Sequence, residues 1–274
     1  MGSKKHNALP GFGLAMGFTT LYLGLIVIIP IGMIFLKASQ IPPADFWRLV
    51  TTPRALASYK LTFGASLIAA VLNAFLGSVL AWVLVRYEFT GKKLIDALVD
   101  FPFALPTAVA GLTLSSVFAA NGWLGRYLQP LGVKAVFTPL GVIFALTFVG
   151  LPFAVRTLQP VLENLEVEIE EAAATLGASR LRTFGSVLIP TLAPAVVTGF
   201  ALAFARAVGE YGSIVFISGN LPYKTEIAPY LIVIRLEEYD YPGATAIAAV
   251  LMIISFGVLL TVNHLESRLG RYMK

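Results

Sequence analysis

The feature that most limits how this chain can fold is a series of long stretches without a charged residue. Each has at least 21 residues, enough for an α-helix to cross a hydrocarbon core of about 30 Å. A sixth candidate, residues 195–217, is interrupted only by Arg206 and Glu210. The sequence therefore predicts an all-α polytopic membrane protein with six transmembrane helices in a single domain, residues 1–274. The five uncharged stretches are residues 9–36, 61–85, 101–125, 135–155 and 241–265.

Composition supports this fold class and argues against several functions. Charged residues make up 13% of the chain, about half of the roughly 25% found in soluble domains. The net charge of +5 is small and spread over short loops, so no nucleic-acid partner is predicted. The predicted surroundings of the chain are membrane lipids. Cysteine is absent and the two histidines lie near opposite ends. We therefore predict no catalytic residue and no metal site.

Loop charges give the predicted orientation, because Lys and Arg favour cytosolic loops. With both termini cytosolic, eleven Lys and Arg residues face the cytosol and eight face outward. The bias is small, but basic clusters flank the second and sixth predicted spans. The loop between the fourth and fifth spans then lies in the cytosol.

That cytosolic loop, residues 160–193, has the pattern of two helices joined by a turn. Apolar residues recur at three- and four-residue steps after Pro160, which predicts an amphipathic helix. Gly177 follows at a helix C-terminus, Ser179 can cap a second short helix, and Pro190 is predicted to separate that helix from the next span. The loop either packs under its own helices or docks a cytosolic partner, and the pattern alone does not choose. The apolar positions are Leu162, Leu165, Ile169, Ala172, Ala173 and Leu176.

The same loop resembles the cytoplasmic signature of ABC importer permeases of type I. That signature is Glu-Ala-Ala, three residues, Gly, nine residues and a last element ending in Pro. It is matched here by Glu171, Ala172, Ala173, Gly177 and Pro190, with two conservative replacements in the last element. The resemblance implies that the loop couples the chain to an ATPase subunit. The chain has no phosphate-binding loop of its own, so ATP and Mg²⁺ are expected on that partner, with no cofactor on this chain.

Three further stretches resemble the sulfate/thiosulfate permeases, in particular their T subunit. They are "DFPFALPTAVAGLTL", "FARAVGEYGSIVFISGN" and "IRLEEYDYPGATAIA". The resemblance implies an inner-membrane importer with a W-type second permease, two ATPase subunits and a periplasmic sulfate-binding protein. A homodimeric molybdate or tungstate permease is the nearest alternative. A secondary anion transporter is a weaker alternative, because only one span carries ionisable residues. An intramembrane enzyme is also weaker, because the chain has no cysteine and only two histidines.

Two charged residues and a proline-rich span are the candidate translocation residues. Arg206 and Glu210 are one helical turn apart near mid-membrane, where a charge costs at least about 2.5 kcal/mol. They either brace each other and act as a gate or present positive charge to an anion. Pro106 opens a bend in the third span, and Thr107 follows it with a hydroxyl group. Such hydroxyl residues either line an anion path or let helices approach closely.

One outer loop also shows helical spacing. Residues 222–238 place Ile227, Tyr230, Leu231 and Ile234 on one stripe. The pattern predicts a short helix lying along the outer membrane interface, which either contacts the second permease or the binding protein or is an ordinary interfacial helix.

Overall fold

The computed structural model describes residues 11–269, which form helices and turns with no strand in that range. Five of these helices, α1, α3, α8, α10 and α13, are long and apolar enough to cross a membrane. Both termini, predicted to be cytosolic, lie outside the described residues. In chain order the helices are α1 (Phe12–Ser39), α2 (Pro43–Val50), α3 (Pro53–Arg86), α4 (Lys92–Val99), α5 (Phe101–Ala104), α6 (Thr107–Phe118), α7 (Gly125–Leu128), α8 (Pro139–Glu163), α9 (Val167–Thr175), α10 (Arg180–Val208), α11 (Gly212–Ser218), α12 (Ala228–Glu237) and α13 (Tyr241–Leu269).

The third predicted span is not one continuous helix. Leu105 has an extended backbone and separates α5 from α6, because the residue before a proline is forced away from the helical conformation. The apolar helix α6 therefore begins only at Thr107. The span predicted over residues 195–217, the fifth in chain order, is also interrupted, because α10 ends at Val208 and the shorter α11 follows.

Three long helices, α3, α8 and α10, form the centre of the structure. Small residues allow the backbones to approach closely, as is common between helices in membranes. A Cβ atom added to Gly77 of α3 would lie 2.7 Å from the Cβ of Ala154 on α8. One added to Gly199 of α10 would lie 3.1 Å from the Cα of the same alanine. Any larger side chain at these glycines would push the three helices apart.

Helix α12 confirms the short helix predicted within residues 222–238, and one of its faces is packed within the protein. Ile227 and Leu231 are 1% and 0% exposed. Leu231 lies in one apolar cluster with Tyr59 of α3 and Ile247 of α13. Ile227 and Leu231 of the stripe therefore pack against other helices of the same chain, among them α3, α8 and α13.

Helix α1 has a peripheral position. Ala38 is its only buried residue, although its mean hydropathy is as high as that of the central spans. Its C-terminal half, Ile29–Ser39, contacts α13. Most of its apolar surface is left for lipid or for another subunit.

Candidate functional site

The segment between α8 and α10, which is predicted to be cytosolic, forms a tight hairpin, here called the coupling hairpin (residues 167–183) after its predicted role. Its turn is at Gly177, whose φ of 79° lies in the left-handed region and confirms the predicted helix end. The N–H groups of Gly177 and Ala178 donate to the carbonyls of Ala174 and Ala173, both at 3.0 Å. Ser179 then caps α10 by accepting a hydrogen bond from the N–H of Arg182 at 3.4 Å.

The boundaries of this hairpin differ from those expected. The first helix does not begin after Pro160, because α8 runs on to Glu163 and the carbonyl of Pro160 accepts two hydrogen bonds from Asn164. Pro190 does not end the second helix, because it lies inside α10 after a π-helical turn at Phe184–Leu188. A helix can continue through a proline in a membrane where neighbouring groups satisfy the freed carbonyls. The exposed part of the loop is therefore shorter than 160–193.

The coupling hairpin exposes apolar side chains. Leu176 is 88% exposed and Leu181 is 85% exposed, on either side of the turn. Glu171 and Ala172 are exposed too, and Ala173 is half-buried. A Cβ at Gly177 would meet no atom within 4 Å, so glycine is required there by the backbone conformation and not by crowding. No other part of residues 11–269 covers these leucines.

A cluster of charged side chains around Arg156 holds the segment before the broken third span. Arg156 of α8 donates hydrogen bonds to Asp96 at 2.6 Å and to both carboxylate oxygens of Asp100 at 2.8 and 2.6 Å. The hydrogen bond from Arg156 lowers the pKa of Asp96 below its usual value. These contacts fix α4 and the start of α5 to α8.

Arg206 and Glu210 meet at the break between α10 and α11, here called the mid-membrane joint after the depth predicted for these residues. The helix ends at Val208, so Glu210 does not continue the face of α10 as expected. Its carboxylate still pairs with Arg206, and it also accepts hydrogen bonds from the N–H and the hydroxyl of Ser213, both at 2.8 Å. Glu210 is 2% exposed, whereas the side chain of Arg206 is 32% exposed.

Helix α11 lies parallel to α6, because matching positions along the two helices are in contact. A Cβ atom on Gly212 would overlap Thr107, and one on Gly111 would overlap the backbone of Ser213. One turn further on, the hydroxyl of Ser115 donates to the carbonyl of Phe216 at 2.8 Å. Thr107 therefore lies at a close helix contact, and Pro106 directly precedes it as the cap of α6.

Two contacts, one at the mid-membrane joint and one at the coupling hairpin, have little or no sequence signal. Glu210 and Ser213 have the i, i+3 spacing of a helix cap, but they lie within a stretch that reads as one apolar span. Nη2 of Arg86 lies 2.7 Å from Oε1 of Glu170 although the two residues are 84 positions apart. Only the folded chain brings that pair together.

Comparison with protein families gives one family over most of the chain. The model of the binding-protein-dependent transport system inner membrane component matches residues 73–271. The sulfate transport system permease protein CysT of Salmonella typhimurium is 48% identical over 266 residues, 97% of this chain and 96% of the relative. CysT of Synechococcus elongatus is 53% identical over 255 residues, 93% of this chain and 92% of the relative.

Solved structures show the same fold at low sequence identity. A chain of a bacterial ABC transporter involved in the import of the acidic polysaccharide alginate superposes with a TM-score of 0.77. It is 16% identical, and the match covers 94% of this chain and 96% of that one. An inward-facing MetNI methionine ABC transporter matches with a TM-score of 0.53 at 17% identity, over 85% of this chain and 100% of that one.

Proposed function

The chain belongs to the family of binding-protein-dependent transport system inner membrane components, and we propose that it moves sulfate and thiosulfate inward by alternating access. The observation that carries this proposal is identity of about half, over nearly the full length, to relatives named sulfate transport permeases. The chain is a membrane subunit with five described helices long enough to span a bilayer. ATP binding and hydrolysis, with Mg²⁺, belong to a partner subunit.

The coupling hairpin is the proposed contact with that ATPase. Its exposed Leu176 and Leu181 favour binding to a partner, because a partner surface would remove these apolar side chains from water. Ala172 beside them permits close approach of a second backbone. We assign Glu171, Ala173 and Gly177 to the same contact, and Pro190 to the helix that continues from it. The complete importer would contain two ATPase subunits, a W-type permease and a periplasmic sulfate-binding protein.

The mid-membrane joint is proposed as a brace and gate. Glu210 already accepts hydrogen bonds from Ser213 and pairs with Arg206. A carboxylate with this many partners holds the end of α10 and the start of α11 in one arrangement. Thr107 and Pro106 lie where α6 meets the same joint, so motion of this region would open or close a path. The exposed third of Arg206 leaves its positive charge accessible from that path.

Uptake of labelled sulfate by the assembled complex tests the proposed substrate. We expect ATP-dependent uptake into vesicles, with excess thiosulfate competing and excess molybdate competing weakly. Strong competition by molybdate with weak competition by thiosulfate would favour the molybdate permease instead. Uptake without any ATPase subunit would contradict an ATP-driven importer altogether.

Reporter fusions test the orientation on which the coupling hairpin depends. A reporter fused after Lys274 should report the cytosol, and one inserted near Ala120 should report the outer side. The reverse result at either position would place the hairpin away from a cytosolic ATPase.

A further inference from the structure

Helix α3 carries an ion-paired arginine at each of its ends. At the outer end, Arg54 donates hydrogen bonds at 2.8 and 2.7 Å to the two carboxylate oxygens of Glu226. At the inner end, Arg86 pairs with Glu170 at 2.7 Å. The two arginines are roughly 48 Å apart along the helix axis at 1.5 Å per residue. One helix thus joins the coupling hairpin to a segment on the opposite side of the membrane.

The inner end of α3 contacts both arms of the coupling hairpin region. Glu170 belongs to α9, the first arm. The ring of Trp82 packs edge-on against Phe184 at the start of α10, with centroids 6.0 Å apart. The guanidinium of Arg86 lies 5.4 Å from the Trp82 ring, a distance typical of a cation–π contact. A displacement of the hairpin therefore pushes directly on this end of α3.

The outer end of α3 holds the segment that leads into α12. Glu226 is 2% exposed, so its bidentate pair with Arg54 is desolvated. The N–H of Ala228, the first residue of α12, donates to the hydroxyl of Thr62 at 2.8 Å. Ala55 of α3 lies in the same apolar cluster as Leu231. Residues 226–231 thus move with α3 unless all these contacts break.

Between its ends α3 contains no proline and no π-helical turn, and its one Gly-Ser pair begins at Gly77, which is packed against Ala154 of α8. It is 34 residues long, with Thr52 as its cap and its only proline in the first turn. By contrast, α8 has Pro152 and Pro160 inside it, and α10 has a π-helical turn followed by an internal proline. Prolines and π-helical turns are the usual positions of helix kinks. An uninterrupted helix transmits an axial displacement better than an interrupted one.

We propose that α3 is a strut that transmits movement of the coupling hairpin to the outer segment before α12, with Arg86 and Arg54 as positioning residues. The proposal rests on the proposed function, because it takes the hairpin to be the ATPase contact. It adds a route across the membrane that does not pass through Arg206 and Glu210. If α3 has two discrete positions, the inner and outer ends of the helix should respond to ATP together.

The inner pair is the better place to test the strut, because the side chain of Glu170 is 32% exposed whereas that of Glu226 in the outer pair is 1% exposed. In the assembled complex, Glu170→Gln should keep the ATPase subunit attached and hydrolysis active. Sulfate imported per ATP hydrolysed should fall about tenfold, which is within the range of couplings between distant sites. The exchanged pair, Arg86→Glu with Glu170→Arg, should recover most of that ratio. Arg54→Lys, which keeps the charge but loses the two-pronged contact, should show a smaller fall.

Glu88→Gln is the matched control, because Glu88 forms an ion pair with Lys92 on the same side of the membrane but is 88% exposed. Its ratio should be that of the wild type. A normal ratio in Glu170→Gln would overturn the strut. Loss of the attached ATPase subunit would also overturn it, since Glu170 would then be a docking residue. An exchanged pair that stays uncoupled would do the same.

A distance measurement separates failure of the strut from failure of the proposed substrate. The chain has no cysteine, so spin labels at Leu236→Cys and Trp123→Cys, both exposed, report on α12 relative to the loop after α6. ATP should change this distance in the wild-type complex and not in Glu170→Gln. If the wild type shows the change but imports no sulfate, the substrate is wrong and the strut stands. If Glu170→Gln shows the same change as the wild type, the strut is wrong whatever is transported.

Discussion

The mid-membrane joint and the coupling hairpin are both breaks between helices, yet they treat their side chains in opposite ways. At the joint, Glu210 is buried and accepts hydrogen bonds from Ser213 while pairing with Arg206. Backbones there approach so closely that a methyl group on Gly111 would overlap Ser213. At the hairpin, Leu176 and Leu181 are almost fully exposed, and the turn glycine has open space around it.

This difference shows which contacts the chain supplies for itself. A buried carboxylate without partners is costly, so the joint must be completed within the chain. An exposed apolar turn leaves no polar group unpaired, so the chain can fold before a partner covers it. The same substitution, glycine to a larger residue, should therefore damage folding at the joint and damage association at the hairpin. The predictions below test that contrast, beginning with the largest expected effect.

Removing one charge of the joint should be the most harmful change. Glu210→Gln leaves Arg206 without its counter-charge, and the loss should approach the ~3–5 kcal/mol seen for fully buried pairs, reduced because Arg206 is 32% exposed. Arg206→Gln strands the carboxylate and should be similarly harmful. Changing both residues to Gln should recover much of the stability, because no unpaired charge remains. Thermal unfolding and yield of the purified complex measure this.

Sulfate uptake by the same three variants separates bracing from contact with the anion. If the joint only braces, the double variant regains some transport together with assembly. A double variant that assembles well but moves no sulfate would show that Arg206 contacts the anion. Three variants indistinguishable from the wild type would contradict both roles.

The close contact between α6 and α11 should be the next most sensitive feature. Gly111→Ala places a methyl group against the backbone of Ser213 and should cost about 1–3 kcal/mol, as overpacking usually does. Gly257→Ala in α13 is the control, because no atom lies within 4 Å of its added Cβ. That control should be neutral or slightly stabilising. Equal unfolding temperatures for the two variants would mean that the α6–α11 contact is looser than described.

Gly177→Val should have the smallest effect on the folded permease and a clear effect on its partner. A side chain at a φ of 79° costs about 1–2 kcal/mol or more for a branched residue, paid in the exposed turn. We expect normal membrane insertion and a slightly lower unfolding temperature, with less ATPase subunit retained during purification. Gly185→Val is the control, because Gly185 has open space and helical φ. Normal ATPase content and transport in Gly177→Val would contradict the assignment of the hairpin.

The sequence by itself determined the parts of this protein that depend on local chemistry. In lipid each backbone polar group must be satisfied within its own helix, so long uncharged stretches are enough to predict spanning helices. The left-handed turn at Gly177 and the cap at Ser179 were also predictable, since each depends on a few neighbouring residues. The Glu-Ala-Ala signature indicated the family for the same reason, because its spacing is contained in one loop.

Only the tertiary structure decided which segments meet. Pro160 and Pro190 looked like helix boundaries but lie inside α8 and α10, because packing against neighbours outweighs one lost backbone hydrogen bond. The contact of Arg86 with Glu170 joins residues 84 positions apart, and no local pattern encodes such a distance. The parallel packing of α6 on α11 likewise depends on two helix breaks, of which the sequence predicted only the bend at Pro106. Contacts between distant segments are set by the burial of the whole chain, which no single stretch contains.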